Sequence, residues 1–114
     1  MILGIGVDIC QNNRINVELS QRILNELEFE FYNNLKLDAR KTEYLSGRFA
    51  CKEAIIKAFS QADKEVYMRD IIILNDDLNR PQLIKPNFTN LKVSISLSHE
   101  KDYSIGFAIV ESLD

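Results

Sequence analysis

Cysteine is scarce in this chain: Cys10 and Cys51 are the only two among 114 residues. That is too few for the disulfide framework of a secreted miniprotein, and no metal-ligand spacing joins them to each other or to His99, the only histidine. They read as reduced thiols. Neither has a sequence-evident base, so covalent catalysis through sulfur is disfavoured. Long apolar runs are also missing, with nothing approaching the roughly 20 residues that span a bilayer. The opening MILGIGVDIC has no basic leader and carries Asp8, which makes it a poor signal peptide. The expectation is a cytoplasmic protein without a membrane partner. Positive charge is not in excess either: the net charge of -3 supplies no concentrated basic surface, so nucleic acid is not an expected partner. No GxxxxGK[ST] loop occurs, which excludes a P-loop enzyme. Internal repeats and low-complexity segments are absent.

What is present is ordinary globular composition, 46% apolar and 27% charged, in a length that suits one domain over residues 1–114. The first segment, Ile2 to Ile9, alternates as a strand. Leu3, Ile5, Val7 and Ile9 share one face, and Gly4, Gly6 and Asp8 share the other. The glycines clear the second face just before a carboxylate, so a backbone or a ligand can come close there. A buried strand ending at a turn-forming Asp fits the same residues.

From about Val17 to Leu37, Leu19, Ile23, Leu24, Leu27, Phe31 and Leu35 recur at helical spacing, which predicts an amphipathic helix or a broken pair with a core-facing stripe. The next predicted helix, from about Thr42 to Phe59, has very little polar circumference and should be largely buried. Glu53 and Lys57 stand four apart on its narrow polar stripe. Arg48 and Lys52 form a second such pair inside the apolar arc. An exposed Glu–Lys pair at this spacing is worth only about 0.2–0.5 kcal/mol and needs no function. On a helix apolar nearly all round, however, charges must be paired, bound to metal or turned to a cleft.

Strand signals follow at Ile71 to Leu74, Gln82 to Ile84, Lys92 to Ser98 and Ser104 to Val110. Turn residues fill Asn75 to Pro81, and Glu100 to Tyr103 can close a hairpin. The order implies an α+β fold in which one antiparallel sheet, joined by the first strand, packs against a long buried helix and an N-terminal helical segment. His99 falls where a strand meets a turn. That is a frequent place for a ligand-binding group, although a lone His is also a common loop residue.

Oxygen ligands such as Asp8 and Glu53 suit a hard cation, and Mg²⁺ typically combines one or two carboxylates with water and substrate phosphate oxygens. Phosphoryl chemistry is the natural class. Lys57 can offset charge or protonate a departing phosphate, and Arg48 and Lys52 can meet further phosphates.

Three segments carry a family resemblance. GIGVDICQNNRI, residues 4–15, resembles the GIGxDxxxxxRI opening of the bacterial holo-acyl-carrier-protein synthases. GRFACKEAIIKAF, residues 47–59, resembles their GRFAxKEAxxKA helix, and SISLSHEKDYSIGFAIVE, residues 94–111, is similar to their closing hairpin. The resemblance implies the 4′-phosphopantetheinyl transferase-like fold and transfer of 4′-phosphopantetheine from coenzyme A to a serine of an apo acyl carrier protein, with release of adenosine 3′,5′-bisphosphate. It implies that Asp8 and Glu53 ligate Mg²⁺, that Lys57 assists the leaving phosphate, and that Glu53 or a water it orients takes the serine proton. His99 would contact the coenzyme near its phosphates, with Arg48 and Pro81 by the 3′-phosphate and adenine. Arg14 and Arg22 would dock the carrier, in a homotrimer with sites between subunits. Two departures stand out: Glu18 lies between the docking arginines, and SQADKEV, residues 60–66, has no glycine where the family has a glycine-rich turn. Two other readings fit the residues, a non-catalytic oligomeric binding module on the same fold and another Mg²⁺-dependent phosphate-transfer enzyme.

Overall fold

The computed structural model describes residues 1–114. Strand β1 (Ile2–Gln11) pairs antiparallel with β5 (Tyr103–Ser112), which also pairs antiparallel with β4 (Leu91–His99), giving a sheet ordered β1-β5-β4. Across one face of this sheet lies α3, Asp38–Gln61, longer at both ends than the sequence suggests.

Small residues allow that close contact. A Cβ on Gly4 would sit 1.9 Å from the Ala58 carbonyl oxygen, one on Gly6 2.0 Å from that of Ala54, and one on Gly106 2.4 Å from Cys51 Cα. The glycine-cleared face of β1 therefore receives the helix backbone. Its apolar alternates Ile5, Val7 and Ile9 point away, 49%, 56% and 61% exposed. On β4 the expected alternation puts Val93, Ile95 and Leu97 against the core formed by Cys51, Ala54, Ile55, Ala58, Phe59 and their neighbours.

The segment 17–37 is a broken pair rather than one helix. A 3₁₀ turn (Val17–Leu19) leads into α1 (Ser20–Ile23), and α2 (Glu26–Asn33) follows. Asn25 causes the break: its side chain accepts from Leu27 N at 3.0 Å, while Glu28 Oε1 accepts from Asn25 N at 2.9 Å, a capping box that starts a new helix. Because α2 begins afresh, the predicted apolar stripe is interrupted. Leu27 and Phe31 are exposed, whereas Ile23 and Leu24 are buried.

The remaining strands also depart from the single expected sheet. β2 (Ile72–Asn75) and β3 (Pro81–Lys85) form their own two-stranded sheet. Ile71, Ile73 and Leu83 hold this hairpin on the Phe59 core through side chains, so no ladder to β4 is needed.

Lys52 supplies the largest correction. Rather than meeting phosphates, it is fully buried, donating to Glu28 Oε1 at 2.6 Å and to the Ile23 carbonyl at 2.7 Å. Glu28 Oε2 accepts in turn from Ile73 N at 3.0 Å. One ion pair thereby ties α1, α2 and β2 to α3. Burial lowers the Lys52 pKa, and Glu28 opposes that shift.

The glycine-free segment after α3 closes without glycine. Asp63 adopts φ 58°, and Lys64 N and Asp63 N donate to the carbonyls of Phe59 and Ser60 at 2.9 and 3.1 Å. This is a Schellman cap with Asp in the left-handed position. Asp63→Gly should remove a left-handed strain of about 1 kcal/mol and raise the unfolding midpoint by about 4 °C, as read by thermal denaturation.

Candidate active site

Two groups of polar side chains form on α3 and the strands beside it. At the first, β1 presents Asp8 and α3 presents Glu53 and Lys57. Lys57 Nζ donates to Asp8 Oδ1 and to the Val7 carbonyl, each at 3.1 Å. The clearing of β1 by Gly4 and Gly6 is what brings α3 close enough for that contact. Glu53 shares the field of both neighbours. Burial raises its pKa above the usual carboxylate value, the Asp8 charge adds to the rise, and Lys57 opposes it.

These residues fit a hard divalent cation. Two carboxylates lie close enough for their charges to couple, and a cation would relieve the repulsion between them. No third His, Cys, Asp or Glu joins them, as no such group of three gathers anywhere in the molecule. The remaining ligands would have to be water or substrate oxygen, the pattern Mg²⁺ favours.

The second group surrounds a cavity of about 230 Å³ whose lining includes Phe31, Tyr44, Arg48, Asn75, Pro81 and His99. Arg48 is nearly buried, its guanidinium 4.6 Å from the Tyr44 ring centroid, with Nη2 donating to Asn75 Oδ1 at 3.0 Å. Its buried Nε has no partner, which leaves a guanidinium donor for an anion. The turn that ends at Pro81 is held by Asp76, whose carboxylate accepts from Leu78 N, Arg80 N and Arg80 Nε at 2.8–2.9 Å. Those hydrogen bonds, led by the one from Arg80 N, keep the Asp76 pKa low.

His99, the last residue of β4, lies over Gly47, where an added Cβ would come within 2.3 Å of the ring. Burial lowers its pKa, Glu43 opposes the shift, and Arg48 and Arg40 reinforce it. His99 Nδ1 contacts Ser104 Oγ at 2.8 Å. Cys51 belongs to the core, and burial pushes its thiol up to about 11, which makes it a poor nucleophile.

Thus Asp8, Glu53 and Lys57 come together, and Arg48, Pro81 and His99 share a cavity. Arg14 and Arg22 are exposed on the turn after β1 and on α1, outside both groups, with exposed Glu18 between them in sequence. Sequence reasoning missed Glu28, Asn75 and Ser104. The Asn25–Glu28 capping-box spacing could have indicated the first. A hairpin closed through residues 100–103 puts 99 opposite 104, as the register has it.

Residues 4–108 match the family model of the 4′-phosphopantetheinyl transferase superfamily. Among curated proteins, the holo-[acyl-carrier-protein] synthase of Geobacillus sp. (strain WCH70) is 40% identical over 99% of both chains. That of Acholeplasma laidlawii is 34% identical over 98% of both. A crystal structure of the Bacillus anthracis holo-(acyl-carrier-protein) synthase in complex with CoA (3′,5′-ADP) superposes with a TM-score of 0.86, at 40% identity over 98% of each chain.

Proposed function

The chain belongs to the 4′-phosphopantetheinyl transferase superfamily, and from that premise we propose that it moves 4′-phosphopantetheine from coenzyme A to a serine of an apo acyl carrier protein. The observation that carries the site assignment is the juxtaposition of Asp8, Glu53 and Lys57 on facing elements. The serine oxygen forms a bond to the pantetheine-side phosphorus of the pyrophosphate. The bridging P–O bond breaks, and adenosine 3′,5′-bisphosphate leaves.

Glu53 takes the serine proton, directly or through a water it orients. The Lys57 ammonium, held on Asp8, faces the departing phosphate and offsets its charge. Asp8 and Glu53 would hold Mg²⁺, which when bound draws charge from the pyrophosphate. In the cavity, Arg48 offers its unpartnered donor to the 3′-phosphate, and Pro81 and His99 flank the coenzyme.

Arg14 and Arg22 are the candidate cations for an acidic carrier helix. The outer face of β1 and β5, with Ile5, Val7, Ile9 and Ile105 exposed, supports a homotrimer that covers this face and sets its sites between subunits. No helix is long and apolar enough to cross a membrane. Two free thiols suit a reducing compartment, and the reading is completed by a cytoplasmic enzyme, one domain over residues 1–114, that serves fatty-acid synthesis.

Incubation with Mg²⁺, coenzyme A and an apo carrier protein should add the phosphopantetheine mass to the carrier, read by mass spectrometry. No mass shift with any apo carrier would sink the proposal. Gly47→Ala gives a sharper check on the cavity, because the new Cβ must displace the His99 ring. Alanine is about 1 kcal/mol better than glycine inside a helix, so stability should hold, while KM for coenzyme A rises about tenfold, the cost of losing about one good hydrogen bond.

A further inference from the structure

The hydrogen-bond chain behind His99 has a direction fixed at its far end. Asn12, buried in the turn after β1, donates from Nδ2 to the carbonyls of Glu100 and Lys101 at 3.2 Å each. Carbonyls only accept, so the amide cannot be flipped, and Oδ1 faces Ser104 Oγ at 2.9 Å. That oxygen also only accepts. The single hydroxyl proton of fully buried Ser104 is therefore committed to Asn12. Ser104 Oγ has only lone pairs left for His99 Nδ1, 2.8 Å away, so Nδ1 must carry a hydrogen. A neutral imidazole has one such hydrogen.

We infer that Asn12 and Ser104 are positioning residues that lock neutral His99 in its Nδ1–H tautomer, leaving Nε2 as a bare lone pair for whatever enters the Arg48 cavity. Nothing else in the protein hydrogen-bonds the ring. The charged groups acting on it are Arg40, Glu43 and Arg48 of α3. The β2–β3 hairpin contributes uncharged Asn75, Asn79 and Pro81 to the cavity, and Phe31 and Leu35 bring no charge.

The consequence rests on reading this cavity as the coenzyme phosphate subsite. A phosphate oxygen needs a donor, and a locked neutral ring offers none at Nε2. Contact between His99 and phosphate then requires a proton at Nε2, so coenzyme binding should weaken as pH rises through the His99 pKa. Without Ser104 the ring is free to adopt the Nε2–H form and donate while neutral.

The test uses ¹⁵N-labelled full-length protein, in which the single histidine gives an unambiguous imidazole signature, together with steady-state kinetics across the histidine range. Wild type above the His99 pKa should show Nδ1 protonated and Nε2 bare. Ser104→Ala should show a mixture, and Ser104→Thr, which keeps the hydroxyl, should restore the wild-type form. KM for coenzyme A should rise about tenfold from acid to alkaline pH in wild type, the worth of one charge-assisted hydrogen bond, and less than about threefold in Ser104→Ala. Ionisations common to both proteins drop out of that comparison. A merely structural Ser104 would raise KM equally at every pH, and that result overturns the inference. So does an Nε2–H signal in wild type, which decides the matter even if Ser104→Ala fails to fold. The spectrum needs no substrate: a chain that transfers nothing yet shows Nδ1–H would end the enzyme reading and leave the tautomer lock standing.

Discussion

Glu53→Gln should lower phosphopantetheine transfer about a thousandfold, within the range for loss of a positioned acid–base group, while the fold survives. Glutamine keeps the shape of the side chain but cannot take the serine proton and is a poor ligand for a hard cation. The stability side has a definite sign. Burial and the Asp8 charge hold the Glu53 pKa above its unfolded value, so the folded state binds that proton more tightly than the unfolded chain does. Above both pKa values the ionised carboxylate therefore opposes folding. Removing it should leave the unfolding midpoint unchanged or higher at neutral pH. Activity by mass spectrometry and stability by thermal denaturation, measured on one preparation, separate the two effects. Loss of activity accompanied by unfolding would instead make Glu53 a structural partner of Lys57.

The second large effect concerns stability. Glu28→Leu should destabilise the protein by about 3–5 kcal/mol, the usual cost of stranding one member of a buried ion pair. A protein of this kind holds only about 5–15 kcal/mol in all. The change leaves Lys52 Nζ with the Ile23 carbonyl alone, and it removes the acceptors of Ile73 N and Asn25 N. Thermal denaturation should show a drop of about 10–20 °C. Replacing Lys52 as well, in Glu28→Leu/Lys52→Met, should recover most of the loss, because an apolar pair of similar volume needs no partner charge. Ile73 N stays unsatisfied in the double variant, so recovery should be incomplete. A loss below about 1 kcal/mol in the single variant would show that water or another group reaches Lys52.

These two acids mark how far a linear reading carries. Glu53 was legible because its grouping with Lys57 is local: four residues on a helix fix the spacing, and a nearly apolar circumference makes any charge conspicuous. Lys52 shows the same spacing to Arg48, and the same logic sent it to phosphates. Only the arrival of Glu28 from α2 makes it a core residue. On the helix, the capping box that separates α1 from α2 is written in Asn25 and Glu28. The second use of Glu28, as acceptor for Lys52 and Ile73, is not.

Strand β1 makes the same division. Its alternation established two faces, one of glycine and one of branched apolar residues, but period two does not say which is covered. Burial follows from what packs there, and the bare backbone of Gly4 and Gly6 meets Ala54 and Ala58 of α3 in a way that Ile5 and Val7 cannot. Element order, the α+β class, the long buried helix and the candidacy of Asp8, Glu53 and Lys57 as site residues come from local periodicity, side-chain type and motif, which survive in a linear string. The inward glycine face, the separate β2–β3 sheet, the Glu28–Lys52 pair and the Asn12–Ser104–His99 chain come from contacts between residues distant in sequence. Their geometry exists only once the sheet and α3 have closed on each other.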